Sequence, residues 1–317
     1  MSTTKIGIVG VALGHPYTFT SILEKKGTTQ IYVWEPIKER LEPFYKQFPH
    51  AIVCESFEEI LSHDVDGAII CTESCFHDTY SIPLMEKGIP IFIDKVMAIN
   101  KDALTAITNT YRKNKSPVMS TSILRFSPLL KKVQEVMLSK KHSEVLGAST
   151  TIFHSIEHYF KEGNTWQDEK DKGGGTLINM GVHGVELIYS LFGKGVKRVY
   201  AEASTRYLKA TQSEDMSVIL LDYGEGLLCT VHLVCGTSHH GYEIDVYFND
   251  QRQMVTIPKG NSSEPLVDYG YEATIDQFLR MVQTGEEPVD FSETIEVIMV
   301  LLACRESSIT KQWIEVV

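Results

Sequence analysis

Residues 5–35 read KIGIVGVALGHPYTFTSILEKKGTTQIYVWE. Ile6 to Gly10 is a short apolar run of the kind that forms a buried strand. Pro16 to Glu24 has helical spacing, and Gln30 to Trp34 is a second apolar run rich in strand formers. A strand, a turn, a helix and another strand within so short a span start an alternating α/β pattern. It continues through a helix from Pro36 to Lys46, opened by proline as helix starts allow, then Ala51 to Cys54 and a helix from Phe57 to Ser62. After these come the strand Gly67 to Cys71, the helix Phe76 to Lys87, the strand Pro90 to Ile93, the helix Lys101 to Asn114 and the strand Val118 to Thr121. The alternation predicts a doubly wound parallel sheet, whose ligands belong at the carboxyl ends of the strands.

The turn after the first strand is Gly10-Val11-Ala12-Leu13-Gly14-His15. In a dinucleotide-binding turn the first glycine makes the bend, the second lets backbone approach pyrophosphate, and the third lets the helix pack on the strand. In the standard register Ala12 takes the second place and His15 the third. A loop one residue shorter brings Gly14 to the third. Ala12 puts one methyl where phosphate would approach, so the turn reads either as a dinucleotide site or as a plain strand-to-helix connection. Glu35 follows the second strand where an acidic residue typically accepts hydrogen bonds from the adenosine ribose, and a carboxylate there favours NAD over NADP because it repels a 2′-phosphate. The same Glu35 would also serve as a surface charge complementing a helix dipole.

At 317 residues the chain exceeds the usual size of a single core, and its 43% hydrophobic content supplies two. The expected division is 1–121 and 122–317. With 30 basic and 41 acidic residues, a net charge of −11 and no long Lys/Arg run, nucleic acid is an unsuitable partner. The start, Met-Ser-Thr-Thr-Lys, leads straight into the first strand, and no apolar run is long enough to span a bilayer. These features predict a cytoplasmic protein with no membrane partner. The six cysteines are scattered, with Cys71 and Cys75 the closest pair, so reduced thiols are expected.

Beyond residue 122 the rhythm changes. Helical patterns at Pro128 to Lys140 and after Gly175 are interleaved with strand-like runs at Val145 to Phe153, Val196 to Thr205, Ser217 to Asp222, Leu227 to Val234 and Glu243 to Phe248. Turn signals stand at Tyr223-Gly224-Glu225-Gly226 and Asn249-Asp250, and helical patterns return at Tyr271 to Thr284 and Phe291 to Thr310. A mostly antiparallel open sheet with helices on one face is expected, an α+β arrangement. Within this half, residues 173–193 read GGGTLINMGVHGVELIYSLFG. A glycine triplet feeds an apolar helix on which Asn179 and His183 lie four apart on one face. Histidine suits proton transfer near neutral pH, although a core histidine satisfied by a carbonyl has the same appearance.

Taken in order, Gly7-Ile-Val-Gly10, Val65-Asp-Gly-Ala-Ile-Ile-Cys-Thr72, His77, Gly88-Ile-Pro-Ile-Phe-Ile-Asp-Lys95, Arg125-Phe-Ser-Pro128 and residues 173–193 resemble the Gfo/Idh/MocA oxidoreductases, named for glucose-fructose oxidoreductase and inositol dehydrogenase. The resemblance spans essentially the whole chain. It implies an N-terminal Rossmann domain, a C-terminal α/β domain whose open sheet commonly mediates oligomerisation, and a nicotinamide cofactor. The family's Glu-Lys-Pro element matches Asp94-Lys95-Val96, retaining the lysine that contacts the nicotinamide region and helps polarise the substrate hydroxyl. His77 matches a histidine beside the cofactor, Thr72 and Ser74 stand in the loop lining the same crevice, and Arg125 matches an arginine near the substrate. The family's Asp-x-x-x-His signature becomes Asn179-Met-Gly-Val-His183. The proton-accepting histidine is kept, while asparagine can hydrogen-bond a sugar but cannot carry charge.

His154-Ser-Ile-Glu-His158 matches a zinc-protease pattern but follows a β-rich run, which disfavours that chemistry. His154 and His158, with Trp166, are candidates to line the substrate pocket, and His239-His240 could reach it. Convergence of four imidazoles would permit a divalent metal, but surface or packing roles are the simpler reading and no metal is assigned. The functional expectation is an NAD-dependent dehydrogenase, with NADP less favoured, that moves hydride between a secondary alcohol of a sugar or polyol and nicotinamide. Lys95, His183 and Asn179 would form its catalytic set. Gly10, Ala12, Leu13, Gly14, His15, Glu35, Thr72, Ser74, His77, Asp94 and Lys95 would bind cofactor. The alternatives are a lyase or glycosidase that oxidises its substrate transiently, and a nucleotide- or sugar-binding protein that has lost catalysis. A homodimer or homotetramer is expected, because an open sheet needs cover.

Overall fold

A computed structural model describes residues 4–27, 29–161 and 163–316. The chain forms two compact units, Met1–Thr121 with Thr274–Thr294, and Ser122–Ala273 with Ile295–Val317. The first unit holds strands β1 (Thr4–Val9), β2 (Thr29–Trp34), β3 (Ile52–Val53), β4 (Gly67–Ile70), β5 (Ile91–Asp94) and β6 (Val118–Thr121). They lie in the order β3-β2-β1-β4-β5-β6 and every pairing is parallel. Residues of β4, β5 and β6 are buried throughout, which is why these strands read as continuous apolar runs rather than alternating ones. The order reverses between β1 and β4, and the crevice beyond their carboxyl ends is where such sheets bind ligands.

One expected boundary moves. The helix anticipated from Pro36 begins instead at Lys38, because Ile37 is extended (φ −101°, ψ 107°) and its N–H is drawn to the Glu35 carboxylate at 3.0 Å. The stretch 274–294 completes the first unit from far along the sequence. Phe278 is fully buried against Phe92, and the Glu287 carboxylate accepts hydrogen bonds from the Val118 N–H (2.9 Å) and the Tyr111 hydroxyl (3.0 Å). Burial pushes the Glu287 carboxyl above its ordinary range, against those two donors.

The second unit is built on β7 (Val145–Phe153), β8 (Arg198–Ser204), β9 (Met216–Gly224), β10 (Leu227–Val234), β11 (Gly241–Phe248), β12 (Arg252–Ile257) and β13 (Ile314–Glu315). Their order is β12-β11-β7-β10-β9-β8-β13. The sheet is mixed, with β7 and β10 parallel and the other pairings antiparallel. Inward residues such as Ile152, Ile219, Val231, Leu233 and Ile244 are fully buried, while Leu146, Val218, Leu228 and Met254 on the alternate positions are exposed. That alternation is the mark of a sheet covered on one side. The edge strands β12 and β13 were not anticipated: β12 exposes Arg252, Met254 and Thr256, and β13 has only two residues. No described helix is long and apolar enough to cross a membrane, and the six cysteines form no disulfide.

The helix Gly181–Phe192 packs on β7 and β10, and Gly184 faces Val231 and Thr150 of those strands. A Cβ at Gly184 would overlap Val231 and approach Thr150 Oγ1 to 3.0 Å, and the β-branched Val231 has little rotamer freedom with which to yield. Gly184→Val is expected to lower stability by about 1–3 kcal/mol through overpacking. Gly260→Ala, where an added Cβ meets nothing, should stay within about 0.5 kcal/mol. Denaturant titration of both variants checks this.

Candidate active site

In the first unit the turn after β1 is sewn to strands on both sides. Gly10 has φ +85°, and a Cβ there would lie 2.7 Å from the Thr72 Cα and N, so glycine is required on both conformational and steric grounds. The Gly10 N–H donates to the Trp34 carbonyl at the end of β2 (2.8 Å), and the Ala12 N–H to the Cys71 carbonyl after β4 (3.1 Å). Glu35 completes the stitching. Its Oε2 accepts the Val11 N–H at 2.6 Å and its Oε1 the Ile37 N–H. The side chain is buried, which pushes its carboxyl up; the two N–H donors and Arg40 pull the other way. Arg40 sits 3.9 Å from Glu35 Oε1 and pairs with Glu73 at 2.8 Å. A carboxylate has about four lone-pair positions, so these two backbone donors leave Glu35 acceptor capacity for ribose hydroxyls.

Ala12 is buried and Leu13 half-buried, while Gly14 is exposed and has open space where a side chain would go. Gly14 is therefore not the glycine that permits close helix packing. His15 opens the helix His15–Lys25 and sets its Nδ1 2.9 Å from each oxygen of Asp94, which is itself only 1% exposed.

Lys95 follows at the end of β5 with φ +59°, a left-handed conformation that a side chain other than glycine adopts at some energetic cost. It is buried, and burial pulls its ammonium below the ordinary lysine range while neighbouring Asp94 pushes back. Its carbonyl accepts from Ser120 Oγ at 3.2 Å. His77 acts on the same turn through the backbone: Nδ1 lies 2.7 Å from the Val96 carbonyl and Nε2 3.2 Å from the Thr72 carbonyl. Burial lowers its basicity, against those carbonyls, and a neutral ring has one proton to give, which the shorter contact assigns to Nδ1. His77 thus joins the lysine turn to the loop holding Thr72 and Ser74, both of them buried.

In the second unit the single helix expected through Asn179 and His183 is two, Gly175–Asn179 and Gly181–Phe192, parted at Met180. Gly174 and Gly175 enter with φ +84° and +73°. The break turns the two polar side chains to different partners. Asn179 Nδ2 donates to the Tyr159 hydroxyl at 3.1 Å, and His183 Nδ1 lies 2.6 Å from Ser122 Oγ. All four residues are buried, and burial pushes the Tyr159 phenol far above its usual range. The His183 ring stands 5.7 Å from that of Tyr242.

Arg125 pairs with Glu186 at 2.7 Å, one helical turn beyond His183. His154 and His158 both set Nδ1 near the Ser155 carbonyl, at 3.0 and 3.1 Å, and their rings lie 5.6 Å apart. His240 lies 4.7 Å from His154 and 5.6 Å from Tyr242, whereas His239 packs on Phe153. The zinc-protease pattern is not on an α-helix, since Glu157–Phe160 is a short 3-10 turn. Trp166 is buried in the following turn, Thr165–Gln167. Sequence reasoning missed Ser122, Tyr159 and Tyr242. Ser122 had a usable signal, its place immediately after a parallel strand. Tyr159 and Tyr242 are brought in by folding of distant segments.

A parallel sheet in this order, with a left-handed glycine after β1 and an acidic residue after β2, is the arrangement of a dinucleotide-binding Rossmann domain. The family model described as "Oxidoreductase family, NAD-binding Rossmann fold" matches residues 4–122, and the GFO/IDH/MocA C-terminal domain matches residues 131–253. The chain belongs to the Gfo/Idh/MocA oxidoreductases and is an NAD(P)-dependent dehydrogenase.

No curated protein matches the chain by sequence. Among solved structures it is similar to GenD2 from gentamicin A biosynthesis in complex with NAD, with a TM-score of 0.86 and 15% identity over 99% of this chain and 97% of that one. It is also similar to myo-inositol 2-dehydrogenase from Lactobacillus plantarum, with a TM-score of 0.85 and 13% identity over 99% of each chain. The WlbA dehydrogenase from Chromobacterium violaceum, in complex with NADH and UDP-GlcNAcA, gives 0.82 and 18% over 99% and 96%. At these identities the likeness is one of fold.

Gly10→Ala adds the Cβ that Thr72 excludes, at a left-handed position that itself costs about 1–2 kcal/mol. NAD affinity, followed by calorimetry, is expected to fall at least tenfold.

Proposed function

We propose that the chain transfers hydride between a secondary alcohol of a sugar or cyclitol and NAD, Lys95 polarising the reacting oxygen and His183 exchanging its proton. The observation that carries this reading is Lys95 itself, a buried ammonium on a strained turn at the carboxyl end of β5. Low-dielectric surroundings strengthen its attraction for a developing alkoxide. NAD supplies the hydride-accepting carbon when bound, and the residues of this chain do the rest. Glu35, with the turn at Gly10, Ala12, Leu13 and Gly14, suits NAD better than NADP because a 2′-phosphate would meet a carboxylate.

His183 sets Nδ1 2.6 Å from Ser122 Oγ, which orients the ring, and its imidazole is assigned the exchange of the substrate's proton. Asn179 gives its amide N–H to Tyr159, leaving Oδ1 to accept from a neighbouring substrate hydroxyl. His154, His158, Trp166 and Arg125 are assigned to the substrate side. The myo-inositol dehydrogenases and the UDP-GlcNAcA complex among the similar structures support a polyol or sugar. Within 122–317 the second unit, without residues 274–294, is assigned the substrate and oligomerisation roles, with the exposed face of the second sheet, at Leu146, Val218 and Leu228, covered by a second copy in a dimer or tetramer. A cytoplasmic location is part of the same reading. One observation favours transient oxidation followed by elimination: the linked imidazoles of His154, His158 and His240 reach Tyr242, which borders His183.

NADH formation across a panel of polyols and sugars tests the proposal. Lys95→Ala and His183→Ala should each lower kcat by about 10²–10⁴-fold, and unaltered turnover in both would sink the assignment. Because burial lowers the Lys95 pKa, the active ammonium is lost as pH rises through a value below the ordinary lysine range, so the alkaline limb of kcat/KM should fall early and disappear in Lys95→Ala. Asn179→Asp places a negative charge near His183, which favours the imidazolium; the acidic limb should move to higher pH. Product analysis without net NADH would mark the redox-neutral alternative.

A further inference from the structure

We propose that Cys54, Glu59 and His63 form a binding site for a divalent zinc-class ion at the outer edge of the parallel sheet. All three belong to the first unit, and none is assigned to cofactor or substrate, so the site stands or falls apart from the NAD reading. Among the described residues, this is the one set of three ligand-type side chains that converges: each offers one ligand atom, and these atoms lie within 4.8 Å of one another. Cys54 follows the two-residue edge strand β3, and its N–H donates to the Val33 carbonyl of β2 at 2.8 Å. Glu59 and His63 stand four apart, on and just past the helix Phe57–Ser62, and so share a face.

The spacing suits an ion better than a hydrogen bond. His63 Nε2 and Glu59 Oε1 are 3.4 Å apart, long for a charge-assisted pair, which closes to about 2.7–2.9 Å. Nitrogen and oxygen held at about 2.0–2.1 Å by one tetrahedral zinc stand roughly 3.3–3.4 Å from each other. A sulfur at about 2.3 Å from the same ion lies roughly 3.6 Å from each of them, and side-chain rotation brings Cys54 Sγ that far from within its present 4.8 Å. The other two ligands are already held. Glu59 Oε2 accepts the Glu55 N–H at 2.6 Å, which leaves Oε1 for the ion, and the Glu59 N–H donates to Ser56 Oγ at 3.2 Å. The His63 ring stacks on Tyr32, with centroids 4.4 Å apart and 28° between the planes.

Cys54 is 2% exposed, whereas the side chains of Glu59 and His63 are 38% and 32% exposed. The ion would have sulfur beneath it and water above, three protein ligands and an open fourth position. A sulfur, nitrogen and oxygen set selects zinc-class ions over magnesium and calcium, which take oxygen ligands. On binding, the Cys54 sulfur coordinates as thiolate and its proton passes to solvent. The bound ion would tie β3, joined to the sheet through β2 alone, to the end of the helix.

The test uses the purified full-length chain, stripped with a chelator and titrated with zinc against a chromophoric chelator, and with cobalt(II) followed by absorption. One zinc per chain should bind with a Kd of roughly 1 μM or tighter. Cobalt should give a thiolate charge-transfer band, which Cys54→Ser abolishes. Cys54→Ser, Glu59→Gln and His63→Phe, the last keeping a ring to stack on Tyr32, should each weaken zinc by roughly tenfold or more. Zinc at a hundred times its Kd should raise the wild-type Tm by about 4 °C. X-ray absorption of the zinc-loaded wild type needs no variant, and should show one sulfur at about 2.3 Å among nitrogen and oxygen ligands. A weaker zinc affinity overturns the proposal. So does a cobalt spectrum without the thiolate band or a zinc shell without sulfur, which would move the metal to imidazoles elsewhere. Zinc binding unchanged in both Cys54→Ser and His63→Phe overturns it as well. Failure to bind NAD with zinc binding intact would count against the dinucleotide reading alone.

Discussion

The Glu35 carboxylate holds the nucleotide end of this protein together. One oxygen takes the Val11 N–H and the other the Ile37 N–H, so a single buried side chain fixes the turn after β1 and the exit from β2. A buried carboxylate is costly unless donors surround it. The chain has arranged backbone to provide them, with Arg40 nearby. The rest of the nucleotide end depends on that anchor: Gly10 bends against Thr72, the helix begins at His15, and His15 reaches Asp94 beside Lys95. The same carboxylate keeps acceptor capacity while serving as a structural member, so whatever it accepts from a ligand is coupled to local order there.

The first sheet was legible in the sequence because its strands are buried on both faces and therefore appear as unbroken apolar runs between helical patterns. Glu35 and Gly10 were legible for a similar reason, since each sits at a fixed offset from a strand end. The helix of Asn179 and His183 was only half legible. Its apolar spacing continues smoothly through Met180, and nothing in the side chains announces the break there. The partners of the two residues were hidden for another reason: Ser122 and Tyr159 come from segments about 60 and 20 residues away, and local periodicity carries no information on such pairings.

Hairpin signals located the second sheet, but its order was not readable. Turn residues identify neighbours joined by short loops, such as β9 and β10 through Gly224 and Gly226, whereas the parallel pairing of β7 with β10 is made across a long connection. Exposed edge strands leave still less trace, as β12 and β13 demonstrate. His77 illustrates the limit for sites. Its position carries the resemblance to a cofactor-side histidine, but not that both ring nitrogens are directed at carbonyls of the chain itself, contacts that hold the lysine turn in shape.

The path of the chain through the two units has a bearing on synthesis. Residues 1–121 emerge first and contain every strand of the parallel sheet, but Phe278, Glu287 and the rest of 274–294 that finish this unit are made only after most of the second. Until then the buried ring of Phe92 lacks one of its covers, and the Val118 N–H and Tyr111 hydroxyl lack their acceptor. The second unit waits as well, since β13 pairs with β8 only when residues 314–315 are available. A growing chain therefore carries two incomplete units until residues 274–294 and 314–315 have been made, each with apolar surface that a chaperone could engage. Loss of everything after Ala273 would leave both units unfinished rather than removing one.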